Sequence, residues 1–188
     1  MQRVGSTMKT VLLLVVVTLG AGCSSSVMQP AEFTLRPDAN SAVVNFLRPS
    51  ILGINFKFGI WDRENFVGLL TARNYVQYRA KPGSHFFMAS AENWSGIKAD
   101  LRAGKNYYIL VAPSTKAWKV WRSVVEMSVL QPDDPNLAEW MQKLKPITPI
   151  LEKGGGYAAE QIDNVRQARK SFESGVVPYT KMKASDGR

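Results

Sequence analysis

The chain has 188 residues and a formal net charge of +9, from 24 Lys and Arg against 15 Asp and Glu. Its 45% apolar and 21% charged residues are an ordinary globular mix, which excludes wholesale disorder. A single cysteine excludes a disulfide framework, a multi-cysteine metal site and an iron–sulfur cluster; a single histidine, His85, excludes paired-histidine zinc motifs.

Residues 1–22 read as a targeting segment. Arg3 and Lys9 give a positive start, no acid precedes Glu32, and Val11–Leu19 is a nine-residue apolar run. That length suits a signal h-region and is well short of the ~20 residues a membrane-spanning helix needs. Leu19-Gly20-Ala21-Gly22-Cys23-Ser24 then resembles the lipobox of bacterial lipoproteins, with Gly20 where an aliphatic residue is usual and Leu19 one place further out. An ordinary secretory signal is the alternative reading.

The lipobox resemblance implies cleavage after Gly22 and lipidation of Cys23, whose thiolate suits thioether formation with a diacylglyceryl group. One acyl chain anchors only marginally, at ~0.8 kcal/mol per buried methylene. The three chains of the family chemistry, palmitate-type acyl groups, would hold permanently. Ser24 at the second mature position implies the periplasmic face of the outer membrane in a diderm host. Removing the 22-residue segment, with its two basic residues and no acid, would leave 166 residues and a charge of +7.

Residues 23–40 contain Pro30 and Pro37 without clear periodicity and are expected to be a tether, with a short edge strand at Phe33–Leu35 as the alternative. From residue 41 to residue 131 the pattern is that of short strands separated by turns. Ala42–Arg48 stops at Pro49, and Gly53–Asp62 alternates Ile54, Phe56, Phe58 and Ile60 against Asn55, Lys57, Gly59 and Trp61. Phe66–Leu70, Tyr75–Ala80, His85–Ala91, Gly96–Leu101, Asn106–Ala112 and Ala117–Leu130 follow, the last breaking near Ser123. Strands at about ten-residue spacing, without strand–helix alternation, predict an antiparallel β-sandwich.

Residues 132–188 are expected to form a separate helical C-terminal extension. Asn136–Lys145 places Leu137, Trp140, Met141 and Leu144 at helical spacing before Pro146 ends the helix. Gly154-Gly155-Gly156 reads as a flexible hinge. Tyr157–Glu173 reads as a polar helix with the stripe Tyr157, Ile162, Val165 and Phe172, closed by Gly175. Val176–Tyr179 is placed at a sheet edge, and the last residues are expected to fray.

Three segments carry a further resemblance: Val43–Ser50, Lys81–Phe87 and Leu101–Ile109. In this order behind a lipobox they resemble a bacterial lipoprotein family of unknown function with a small domain similar to PEGA-type and transthyretin-like β-sandwiches. The resemblance covers about residues 42–130. It implies envelope attachment and a sandwich fold, and no activity. Each segment also has a structural reading: Arg48-Pro49 as a strand end, Pro82-Gly83 as a hairpin turn and Gly104-Lys105-Asn106 as another turn.

Chemistry is sparse. His85 and Ser84 lie next to each other, so on a strand they point to opposite faces, and no Gly-x-Ser-x-Gly elbow occurs. Asp133-Asp134 and Asp62/Glu64 sit in turn-like sequence, and Gly154-Gly155-Gly156 lacks the Lys-Ser/Thr of a phosphate loop. A non-enzymatic protein is expected, with no cofactor and no metal. Trp61, Trp94, Trp118 and Trp121 could instead stack on sugars, with core filling as the alternative. Trp94 and Trp118 are the candidate ligand-binding residues.

The basic surplus suits anionic headgroups or cell-wall polymers, or is dispersed solvated charge; an exported protein has little access to nucleic acid. The expected partners are the membrane through the lipid anchor, and envelope proteins or peptidoglycan. The function expected first is an interaction or structural module; the alternative is a glycan- or peptidoglycan-binding module.

Overall fold

The structure, a computed structural model, describes residues 26–114 and 124–188. Residues 1–22, read above as a signal segment, and Cys23, Ser24, Trp118 and Trp121 lie outside the described residues.

The strand β2 (Ala42–Arg48) shows how the fold is built, because all seven of its residues are buried. Alternation sends Val44 and Phe46 into the main core and Leu47 to the opposite face, where it meets Tyr75, Tyr108 and Leu130. A strand apolar on both faces needs cover on both. One face receives the second sheet. The other receives a helix, α1 (Leu137–Lys143), which seats Leu137 there, with Trp140, Met141 and Leu144 alongside.

The same logic holds across the core. The strand β3 (Phe58–Asp62) sends Phe58 and Ile60 inward, and Trp61 outward beneath the long helix α2 (Leu151–Glu173). The protein is therefore a β-sandwich with a helix on each outer face.

The remaining strands are β1 (Met28–Pro30), β4 (Asn65–Leu70), β5 (Asn74–Ala80), β6 (Gly83–Ser90), β7 (Trp94–Leu101), β8 (Asn106–Pro113), β9 (Val125–Leu130), β10 (Lys145–Pro149) and β11 (Thr180–Met182). One sheet has the order β1-β10-β5-β2-β8-β9 and the other β11-β7-β6-β3-β4. Most pairings are antiparallel, but β2 with β8, β10 with β5 and β11 with β7 run parallel.

Several segments differ from their sequence reading. The part of the expected tether that is described is folded onto the domain. β1 pairs with β10, and the Leu35 N–H donates to Gln77 Oε1 at 2.7 Å. The expected extension is integral rather than appended: β10 joins the first sheet and β11 the second. Its helices read as an appendage because each has one apolar stripe, and such a stripe does not say what it covers.

Gly154-Gly155-Gly156 is not a hinge; α2 starts at Leu151 and runs through it. Three glycines disfavour a helix by about 1 kcal/mol each relative to alanine, and packing on β4 overrides that. A Cβ on Gly154 would lie 3.1 Å from the Pro149 Cβ and 3.5 Å from the Phe66 ring, so this close approach needs a small residue.

The strand expected from Gly53 begins only at Phe58, and Ile54 is exposed rather than core. Pro82-Gly83 is not a hairpin turn: it carries the chain from β5 in one sheet to β6 in the other, with Gly83 at φ 115°. The C-terminus does not fray. After β11, Ala184–Asp186 form a 3₁₀ turn, and Asn106 and Arg188 exchange both backbone hydrogen bonds at 2.7 and 3.0 Å.

Candidate functional site

His85 was the one imidazole available for catalysis, and its surroundings define its role. Its Nδ1 lies 2.7 Å from Asp62 Oδ2 and its Nε2 2.8 Å from the Lys81 carbonyl oxygen. A carboxylate and a carbonyl only accept, so the two contacts are satisfied together by a ring that donates from both nitrogens, the imidazolium form. The hydrogen bond to Asp62 raises the His85 pKa above its ordinary 6.5, more than burial lowers it.

Tyr78 of the opposite sheet donates its hydroxyl to the same Asp62 oxygen at 3.0 Å, and the His85 ring stacks on Phe87. Burial, and then the Asp62 charge, push the Tyr78 phenol well above 10, so it stays a donor. The cluster ties the two sheets together at one end of the core. Nε2 is taken by the Lys81 carbonyl rather than by a hydroxyl, and the neighbouring Ser84 accepts from Arg63 Nη2 through its backbone carbonyl at 2.7 Å.

The other carboxylates are engaged elsewhere. Glu64 accepts from Arg166 and Arg169 of α2, each at 3.0 Å, and so fastens the helix to the β3–β4 turn. Asp134 accepts from the Asn136 N–H at 2.9 Å, making the turn into α1. Asp62 and Glu64 are therefore not brought together as a pair. Among the described residues no group of three or more His, Cys, Asp or Glu could hold a metal ion, and no helix is long and apolar enough to cross a membrane.

A groove of about 620 Å³ lies between α2 and the β6–β7 turn. One helix face supplies a wall at regular spacing: Tyr157, Gln161, Asn164, then Ala168 and Ser171. The sheet side supplies Lys57, Ser90, Glu92 and Trp94, with Trp94 half-buried at the start of β7. Carboxamides, hydroxyls and two aromatic side chains thus line one cleft.

Its floor is shaped by Gly59. A Cβ there would lie 2.5 Å from Ser90 Oγ, 3.1 Å from Trp61 Nε1 and 3.5 Å from Tyr157 Oη, so three polar atoms converge where the side chain is missing. The Trp61 ring is fully buried, 5.1 Å from Phe66 and stacked on Tyr157 at 6.3 Å between centroids. Its Nε1–H has no partner among the described residues. Burial also raises the Tyr157 pKa, so its hydroxyl keeps its proton.

Of the tryptophans named from sequence, Trp94 lines this groove, Trp61 lies beneath it as core, and Trp118 and Trp121 fall outside the described residues. The contribution of α2 was not foreseen. Its signal was present in the carboxamides of Gln161, Asn164 and Gln167 along a helix whose apolar stripe is narrow. Arg166 and Arg169, part of the basic surplus, are consumed by Glu64 and Glu173. Comparison of the chain with models of protein families and with curated proteins finds no match to either.

Proposed function

We propose that this is a lipid-anchored protein of the bacterial envelope whose sandwich binds a glycan, without catalysis, in the groove beneath α2. The observation that carries the ligand class is the lining itself. Carboxamides and hydroxyls both donate and accept, as vicinal sugar hydroxyls require, while Trp94 and Tyr157 offer ring faces to the C–H side of a pyranose. Of the two expected functions, the interaction module and the glycan-binding module, the groove favours the second as a specific form of the first.

Purified peptidoglycan sacculi test the ligand. The protein is expected to co-sediment with them, and Trp94→Ala to weaken binding about tenfold, the equivalent of ~1.4 kcal/mol of lost stacking. Asn164→Ala combined with Gln161→Ala should weaken it further. Unchanged co-sedimentation of both variants would remove the glycan reading.

The anchor rests on Leu19–Ser24 and on the type of residue at position 23. Cells fed an alkyne fatty acid should label the wild-type protein, and Cys23→Ala should abolish the label. Label persisting in Cys23→Ala would contradict the anchor. Ser24 directs the anchored protein to the outer membrane, so fractionation of a diderm host should recover it there.

A further inference from the structure

The inference that follows rests on the proposed lipid at Cys23 and concerns what that lipid does to the folded body. Three residue steps separate Cys23 from Ser26, and β1 begins at Met28. At about 3.3–3.6 Å per residue, those steps span at most about 11 Å. An anchored sulfur therefore holds whatever surface surrounds Ser26 against the bilayer, and a domain standing off on a long tether is ruled out.

That surface is where the edge strands of the two sheets meet. β1 is one end of the first sheet and β4 one end of the second. The Leu69 N–H lies 3.2 Å from the Met28 sulfur, and Ser26, Val27, Lys57 and Thr71 border a small cleft beside them.

Three large apolar side chains are exposed around this exit. Leu151, 92% exposed, follows Ile150, whose N–H donates to the Val27 carbonyl at 2.9 Å. Ile51 and Ile54, 56% and 62% exposed, project from the loop that ends at Lys57. Arg48 holds that loop beside β4, bonding the Gly53 and Phe56 carbonyls together with that of Leu70. Ile51, Ile54 and Leu151 contribute little to the core, and water is a poor solvent for them. Leu151 follows the residue bonded to Val27, and Lys57, at the end of the loop that carries Ile51 and Ile54, borders the same cleft as Ser26.

We infer that the β1/β4 side of the sandwich lies on the bilayer, with Ile51, Ile54 and Leu151 entering the boundary between headgroups and acyl chains. The protein is then held in one orientation by its own surface as well as by its lipid. The opposite edges, β9 and β11, face away.

Cys23 is the only cysteine, so once its sulfur is in a thioether an introduced cysteine is the only free thiol. Full-length lipidated Ile54→Cys, Leu151→Cys and, as the distal control on β11, Lys181→Cys are labelled with an environment-sensitive fluorophore. They are then placed in vesicles of phosphatidylethanolamine and phosphatidylglycerol. Labels at positions 54 and 151 should shift to the blue and lose intensity when a headgroup spin-labelled lipid is included, and the label at 181 should do neither. Water-like emission at all three positions in protein that still floats with the vesicles would overturn the inference and leave the anchor standing. A blue shift without quenching would place a second protein on this face and also overturn it. Protein that does not float at all would remove the anchor and the inference with it.

Discussion

Arg48→Met is expected to destabilise the fold by about 3–5 kcal/mol, the largest effect foreseen for any single substitution here. Arg48 is completely buried at the end of β2, and among the described residues no carboxylate pairs with it. Its charge is met by carbonyl oxygens instead. Nη1 donates to Phe56 at 2.6 Å and Leu70 at 3.3 Å, and Nη2 to Gly53 at 2.7 Å and Leu52 at 3.3 Å. The guanidinium carbon lies 4.2 Å from the centre of the Phe58 ring.

Burial lowers the Arg48 pKa only to about 10, so the group is a cation at neutral pH. Methionine fills a similar volume, so the loss isolates the donors. Without them the 49–57 loop must either leave its carbonyls unsatisfied or move out to water. Arg48→Lys keeps the charge but has three donors on one atom rather than a planar fork, and should lose about 1–2 kcal/mol. Urea unfolding monitors both, read as a lower midpoint at unchanged slope. An Arg48→Met midpoint close to wild type would show that the loop does not depend on the guanidinium.

The second large effect belongs to His85. Its folded pKa is raised above 6.5, so its contribution is fully present below about pH 6.5 and is lost as pH rises through the higher folded value. Stability should therefore decline as pH rises from about 6.5 through the raised folded value. The physical cause is local. A neutral ring must turn one lone pair toward either the Asp62 carboxylate or the Lys81 carbonyl, and both repel it.

His85→Ala should remove that decline. It should also cost about 3 kcal/mol near neutral pH, because Asp62 would remain buried with Tyr78 as its only side-chain partner. Unfolding midpoints of wild type and His85→Ala across this pH range decide the matter. Parallel profiles would mean that another group titrates.

Much of the strand content was legible because a half-buried strand writes its period into the sequence. Phe66–Leu70, Tyr75–Ala80 and Asn106–Ala112 each fall within a residue or so of β4, β5 and β8. Pairing was not legible. Pro82-Gly83 reads the same whether it closes a hairpin or crosses between sheets, since a turn encodes backbone angles and not the partner of the next strand. Ala42–Arg48 did carry a clue to the helical cover, in Leu47 on the face opposite Val44 and Phe46, but a run of apolar residues does not name the element that buries it. The candidate groove was legible in one residue, Trp94. The wall that faces it comes from a helix 63 residues or more further along the chain.

By itself, then, the sequence determined the class of protein: mainly β, one histidine, one cysteine in a lipobox-like setting, aromatic residues in excess of catalytic ones. Those are properties of composition and short-range pattern, and no folding is needed to read them. Only the tertiary structure decided that the C-terminal third completes both sheets, that Gly154 lies inside a helix, and that Trp61, Ser90 and Tyr157 converge on the missing side chain of Gly59. These depend on contacts between residues far apart in the chain. Packing energy settles such contacts after local propensity has left several answers open.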